Sequence, residues 1–217
     1  MRKSLKHGKG VIYYRNGKIK YSGNFYDDKI HNSKATIFYK NSVIKFYGSI
    51  YKGVKHGRGY SYTIDKHLQY CGYYKRGRPD TKEAIIYNEK NNEIEYIGEI
   101  KKGKYHNLGE LYHSKGNLEY DGYFLKGKMH WDWCSIYNSD DDCEYKGSMC
   151  FGQKVGFGKD YWPKSEGGGP KYSGWFSNGI KQDKNGYLYD KKGNVIYQGM
   201  IFEGFPEGFG TKYYSYP

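Results

Sequence analysis

Five histidines recur in one column of this chain, at His7, His31, His56, His106 and His130, and imidazole is the side chain most often used to hold a metal. Spacing argues against that chemistry. Equivalent positions of the pattern fall two strands apart, roughly 9.6 Å, whereas the ligands of one zinc ion hold their nitrogens about 2.1 Å from it. The column is therefore expected to cap or pack its turns, and no metal site is expected. Cys71, Cys134, Cys143 and Cys150 show no C-x-x-C pair, so they read as reduced, half-buried strand residues. Nucleophilic chemistry has no support either: there is no Ser-His-Asp order, no G-x-S-x-G elbow and no phosphate loop of the form G-x-x-x-x-G-K-S/T. The run Gly167-Gly168-Gly169-Pro170 reads as an enlarged hairpin turn. Asp140-Asp141-Asp142 also falls in a turn, where Asp favours loop conformations and solvent. Neither a catalytic residue nor a cofactor is expected, because repeated sheets lack the enclosed pocket that catalysis exploits.

The elements that carry these residues come from a repeat. Gly23, Gly48, Gly72, Gly98, Gly122, Gly147, Gly174 and Gly199 are separated by 25, 24, 26, 24, 25, 27 and 25 residues. Each sits two residues after an aromatic and usually two before another large apolar residue, as in Tyr21-Ser22-Gly23-Asn24-Phe25 and Tyr172-Ser173-Gly174-Trp175-Phe176. A second glycine follows five residues later in all copies but the first, where Asp28 stands. Next comes a His-Gly-x-Gly phrase, intact from His7 to Gly10 and from His56 to Gly59. It is half kept at Val155 to Gly158 and Glu207 to Gly210, and worn at His31 to Lys34, Asp80 to Glu83 and His130 to Trp133.

Tyr-x-Gly-x-aromatic-x-x-Gly followed by Gly-x-Gly and an aromatic strand resembles the MORN repeat (membrane occupation and recognition nexus). The match covers one array over 1–217: a half copy in 1–20 and copies starting near residues 21, 46, 70, 96, 120, 145, 172 and 197. The resemblance implies an all-β, elongated, single-layer antiparallel meander. It also implies a non-catalytic role as a tether, a cytoskeletal scaffold or an accessory module.

Composition agrees with a thin sheet. Leu, Ile, Val and Phe are only 38 of 217 residues, too few for a layered globule, while 28 Tyr and 31 Gly are available. Rows of tyrosine are expected to bury one ring face each and keep their hydroxyls wet. Alternating polar and apolar residues around each Tyr-x-Gly and Gly-x-Gly predict strands. Hairpin turns are expected at Arg15-Asn16-Gly17-Lys18, Lys115-Gly116-Asn117 and Lys192-Gly193-Asn194. The count is about 17 strands, which at about 4.8 Å each run to roughly 80 Å. Pleating puts the column rings and their glycines on one face, with each glycine leaving a hollow that an aromatic covers. Two readings of that face remain: packing alone, or an aromatic groove of Tyr21, Phe25, Phe46, Tyr70, Tyr96, Tyr120, Phe124, Tyr145, Tyr172, Phe176 and Tyr197 that also grips a protein partner.

Charge is unevenly spread. Residues 1–60 hold 14 Lys and Arg against Asp27 and Asp28, a net of +12 within a total of +13. Arg2, Lys3, Lys6, Lys9, Arg15, Lys18, Lys20 and Lys45 are the expected docking site for an anionic partner, unless they serve only as a solubilising surface. An acidic protein is the first expectation and an anionic phospholipid surface the alternative, since each basic residue near such a leaflet contributes about 1 kcal/mol. Arg2 stands where N-myristoylation needs glycine, so no lipid anchor is expected. Nucleic acid ranks third, for want of a known motif. With no apolar run of about 18 residues and no apolar leader, a cytoplasmic protein is expected, peripheral at a membrane if the lipid reading holds. Finally, the last strand offers Phe209, Tyr213, Tyr214 and Tyr216 with one charge, Lys212, and is expected to pair with a second copy in a homodimer.

Overall fold

The computed structural model of the protein describes residues 5–214, within which lie 21 strands and one short 3-10 turn, Lys164–Glu166. The chain divides into two compact units, the first ending at Tyr105 and the second beginning at His106. The first holds the strands Gly8–Tyr13, Ile19–Tyr26, Lys29–Ile30, Asn32–Phe38, Ile44–Tyr51, Val54–Tyr62, Leu68–Lys75, Arg78–Pro79, Thr81–Tyr87 and Ile94–Lys101. They pair antiparallel in chain order, with Lys29–Ile30 and Asn32–Phe38 sharing Ile19–Tyr26, and Arg78–Pro79 and Thr81–Tyr87 sharing Leu68–Lys75, forming a single-layer meander. The second unit takes most of Lys104–Tyr112, then Leu118–Leu125, Lys128–Met129, Trp131–Tyr137, Cys143–Cys150, Gln153–Tyr161, Pro170–Ser177, Ile180–Lys181, Asp183–Tyr189, Val195–Phe202 and Phe205–Lys212. It repeats the same antiparallel meander. The three expected turns close as hairpins, with the amides of Gly17, Gly116 and Gly193 donating to the carbonyls of Tyr14, His113 and Asp190.

The core is a furrow of small residues roofed by rings. Glycine faces glycine across neighbouring strands: Gly10 opposite Gly23 and Gly59 opposite both Gly48 and Gly72 in the first unit; Gly158 opposite both Gly147 and Gly174 in the second. The aromatic two residues upstream folds back over this furrow. A Cβ on Gly158 would lie 2.5 Å from the Tyr145 hydroxyl oxygen, so only glycine admits the ring there. Rings four apart then meet edge to face, Tyr120 on Phe124 at 5.1 Å and Tyr172 on Phe176 at 5.1 Å, a favoured aromatic geometry.

The hydroxyls, expected to stay wet, do not. Tyr21, Tyr70, Tyr96, Tyr120, Tyr145, Tyr172 and Tyr197 each donate to the backbone carbonyl three residues on, at 2.7–2.9 Å. Folding the ring over the glycine carries its oxygen past the furrow to that carbonyl, so the side chain closes on its own strand. Phe46 fills the eighth position with no hydroxyl to donate. Each such bond contributes about 1 kcal/mol, and burying each ring about 2 kcal/mol or more.

The strand count has a local cause. From the turn residue to the small residue of the furrow the spacing alternates: seven residues from Asp28 to Ala35, six from Gly53 to Gly59, seven from Gly77 to Ala84, six from Gly103 to Gly109. The second unit continues the alternation, seven to Cys134 and Gly186, six to Gly158 and Gly210. Six-residue copies run as one strand through a left-handed residue: Gly57 (φ 85), Asn107 (φ 50), Gly156 (φ 63) or Gly208 (φ 68). In seven-residue copies the extra residue, His31, Asp80, His130 or Gln182, interrupts the ladder as a bulge. Its amide still donates across, to the carbonyl of Asn24, Tyr73, Tyr123 or Trp175. Counting each of the four interrupted strands as one returns the 17 expected from sequence.

Candidate functional site

The eleven rings assigned to an aromatic groove form the core instead. Tyr21, Phe25, Phe46, Tyr70, Tyr96, Tyr120, Phe124, Tyr145, Tyr172, Phe176 and Tyr197 are all at most 9% exposed. At that burial these rings pack the core and present no open face to a partner. Burial also pushes the Tyr70, Tyr120, Tyr145 and Tyr172 hydroxyls well above the usual phenol range, and Tyr74 up to about 12.

The basic residues lie at the surface. Lys6, Lys9, Arg15, Lys18, Lys20 and Lys45 are exposed, and Arg2 and Lys3 fall outside the described residues. Among the described residues none of these six forms an ion pair; the first unit's one such contact is His7 with Asp27 at 3.2 Å. Every lysine ion pair among the described residues belongs to the second unit: Lys115–Asp140, Lys154–Asp160, Lys164–Asp142, Lys181–Asp160 and Lys191–Glu166. The Lys20 and Lys45 ammonium groups rest 5.8 and 5.1 Å from the Tyr14 and Tyr39 ring centres. Those tyrosines in turn donate to the Phe38 and Tyr62 carbonyls of the next hairpin, which fixes where the two charges stand.

A surface aromatic series lies in the same unit, at the strand ends away from Lys20 and Lys45, and the sequence reading missed it. His7, Tyr26, His31, Tyr51 and His56 form a ladder with successive ring centres 5.2, 5.8, 4.9 and 6.1 Å apart. Tyr26 and Tyr51 are about half exposed. The signal was present: both tyrosines follow their column glycines by three residues, one pleat out of phase with the buried rings. His7, His31 and His56 thus pack on tyrosines at the turns, and His130 packs on Phe151. Among the described residues no three His, Cys, Asp or Glu side chains are grouped to hold a metal.

Other expected features hold in part. The four cysteines are free thiols, and burial pushes Cys134 up to about 11. Asp142 departs from its expected solvation: it is buried and accepts from the Lys164 amide at 3.1 Å, so it anchors the enlarged loop. The last strand is Phe205–Lys212, paired among the described residues on one side only, with Phe209 91% exposed. Tyr213 and Tyr214 follow the strand, and Tyr216 falls outside the described residues. In the second unit a depression of about 600 Å³ is lined by Trp175, Asp183, Met200, Phe202 and Glu207 among others. Among the described residues no helix is long and apolar enough to cross a membrane. No protein-family model matches this sequence, and no curated protein matches it.

Proposed function

We propose that the chain is a MORN-type, non-catalytic scaffold whose first unit docks an acidic, extended protein segment on its lysines and exposed tyrosines. The observation that carries this reading is that, among the described residues, Lys6, Lys9, Arg15, Lys18, Lys20 and Lys45 form no ion pair, set against the paired lysines of the second unit. Cations without local counter-ions keep their full field for a partner, raising both its local concentration and its association rate. The tyrosine and histidine rings of the ladder add flat apolar area elsewhere on the same unit at low entropic cost.

Changing Lys6, Lys9, Lys18 and Lys20 to Glu is expected to abolish binding of a fluorescent Asp/Glu-rich peptide, with the melting temperature unchanged. Raising salt weakens wild-type binding in parallel, because exposed charges are screened within about 8 Å at physiological ionic strength. Peptide affinity unmoved by both treatments would return these lysines to a solubilising role. Co-sedimentation with anionic vesicles but no retention of the peptide would replace the protein partner with a lipid surface.

The edge at Phe205–Lys212, unpaired on its outer side among the described residues and carrying the exposed Phe205 and Phe209, supports a homodimer through the C-terminal repeat, since an open strand edge recruits another strand. Ultracentrifugation of the full chain is expected to give a dimer at micromolar concentration. A chain ending at Gly204 should be monomeric; a monomer mass for both refutes the dimer.

A further inference from the structure

Lys55 stands apart from the other lysines among the described residues. Its Nζ sits 4.4 Å from the Phe46 ring centre and 4.8 Å from that of Tyr74, beside two core rings. It donates to Ser61 Oγ at 3.0 Å, and Ser61 Oγ is 2.5 Å from the Tyr74 hydroxyl, forming a Lys-Ser-Tyr chain of hydrogen bonds. Ser61 and Tyr74 are buried while Lys55 is half-buried, so the chain runs from a reachable amine into the core.

The second unit shows what this position ordinarily requires. Lys154 occupies the equivalent place, over the Tyr145 ring at 4.6 Å and the Phe176 ring at 5.6 Å. There Asp160 stands where the first unit has Ser61, and it binds Lys154 at 2.6 Å and Lys181 at 2.7 Å. A carboxylate thus neutralises two half-buried ammonium groups in one unit. In the other, a hydroxyl faces the ammonium, and no carboxylate approaches within ion-pair distance among the described residues. The groups facing Nζ are Ser61, Tyr74, the Phe46 ring and the like charge of Lys45. Burial and Lys45 bring the Lys55 amine down to about 8.

We propose that Lys55 is a covalent acylation site, taking short acyl groups from thioesters. The unprotonated amine attacks the thioester carbonyl carbon; a C–N bond forms, the C–S bond breaks and the thiolate leaves. The proton lost from nitrogen passes to the thiolate, by way of the Ser61 hydroxyl. The product is a neutral amide whose N–H still donates to Ser61 Oγ. Acylation thus removes a desolvated, uncompensated cation and keeps its hydrogen bond, a gain not available to Lys154 or Lys181, whose reaction would strand Asp160.

The test incubates the folded chain with the acetyl thioester of N-acetylcysteamine at pH 7.5 and reads site occupancy by peptide mass spectrometry. An amine lowered to about 8 is about one-quarter unprotonated at that pH, against about one part in a thousand for an ordinary lysine. Allowing for its lower intrinsic nucleophilicity, Lys55 is expected to react about tenfold faster than the exposed Lys52 and Lys66, and Lys154 and Lys181 more slowly than either. Ser61→Asp, which supplies the carboxylate found at Asp160, should bring Lys55 below the exposed lysines. A Lys55 rate at or below that of Lys52, or one unchanged in a folded Ser61→Asp chain, overturns the assignment. The wild-type comparison among lysines of one molecule decides the matter even if Ser61→Asp fails to fold.

Discussion

Replacing Gly122 with Val is expected to destabilise the second unit by about 3 kcal/mol, whereas Asp121→Val next to it shifts stability by no more than about 0.5 kcal/mol. A Cβ at Gly122 would lie 2.5 Å from the Tyr120 hydroxyl and 2.7 Å from Cζ of the same ring. The ring has no room to yield, because Phe124 meets it edge-on at 5.1 Å and its hydroxyl is bound to the Tyr123 carbonyl at 2.9 Å. Displacing it breaks that bond and opens the furrow beneath, while Asp121 points to the opposite, exposed face. Because each hairpin of a repeat array is supported by its neighbours, the damage propagates along the unit. Thermal melts should show a drop of about 10 °C for Gly122→Val and almost none for Asp121→Val; equal shifts would sink the ring-over-glycine account.

Alkaline unfolding is the second large effect. The hydroxyls of Tyr70, Tyr120, Tyr145 and Tyr172 are raised above the ordinary value of 10.0, chiefly by burial. A phenol raised in the folded state gives stability that is complete below pH 10 and is lost as pH climbs toward its folded value, since only the unfolded chain ionises in that window. Each such tyrosine then costs about 1.4 kcal/mol per pH unit above 10. The seven furrow hydroxyls are also donors to backbone carbonyls, a role that ionisation abolishes. Circular dichroism is expected to show cooperative loss of the sheet between pH 10 and 12, with tyrosinate absorbance of the core rings appearing in the same step. Ionisation of all 28 tyrosines near pH 10 with the sheet intact would contradict the buried hydrogen bonds.

Much of the fold was legible because a repeat states its rule many times. The recurrence of Gly23, Gly48, Gly72 and their successors, with an aromatic two residues before and a large apolar residue two after, dictated strands, hairpin turns and a shared Tyr/Gly face. The 17 strands also followed, once the interrupted ones are joined. The seven-versus-six alternation between turn and furrow was equally present in the residue numbers, yet its meaning depended on seeing a bulge at His31 and a left-handed glycine at Gly57. Spacing gives the register, but whether an extra residue is absorbed by φ or by a break depends on the ladder beside it.

For the candidate site, residue type and spacing determined the charge imbalance between the first 60 residues and the rest, because formal charge is a property of composition. They could not determine which cations keep their field: Lys154 and Lys55 read alike in sequence, and only the approach of Asp160 to the one and Ser61 to the other separates them. The pleat phase does separate the adjacent Phe25 and Tyr26 onto opposite faces, but it does not tell which face is covered. The fold buries the first and leaves the second about half exposed. Sequence fixes local periodicity through the two-residue alternation of strands. Desolvation and ion pairing depend on atoms brought from other strands, and for that reason only the tertiary structure decided them.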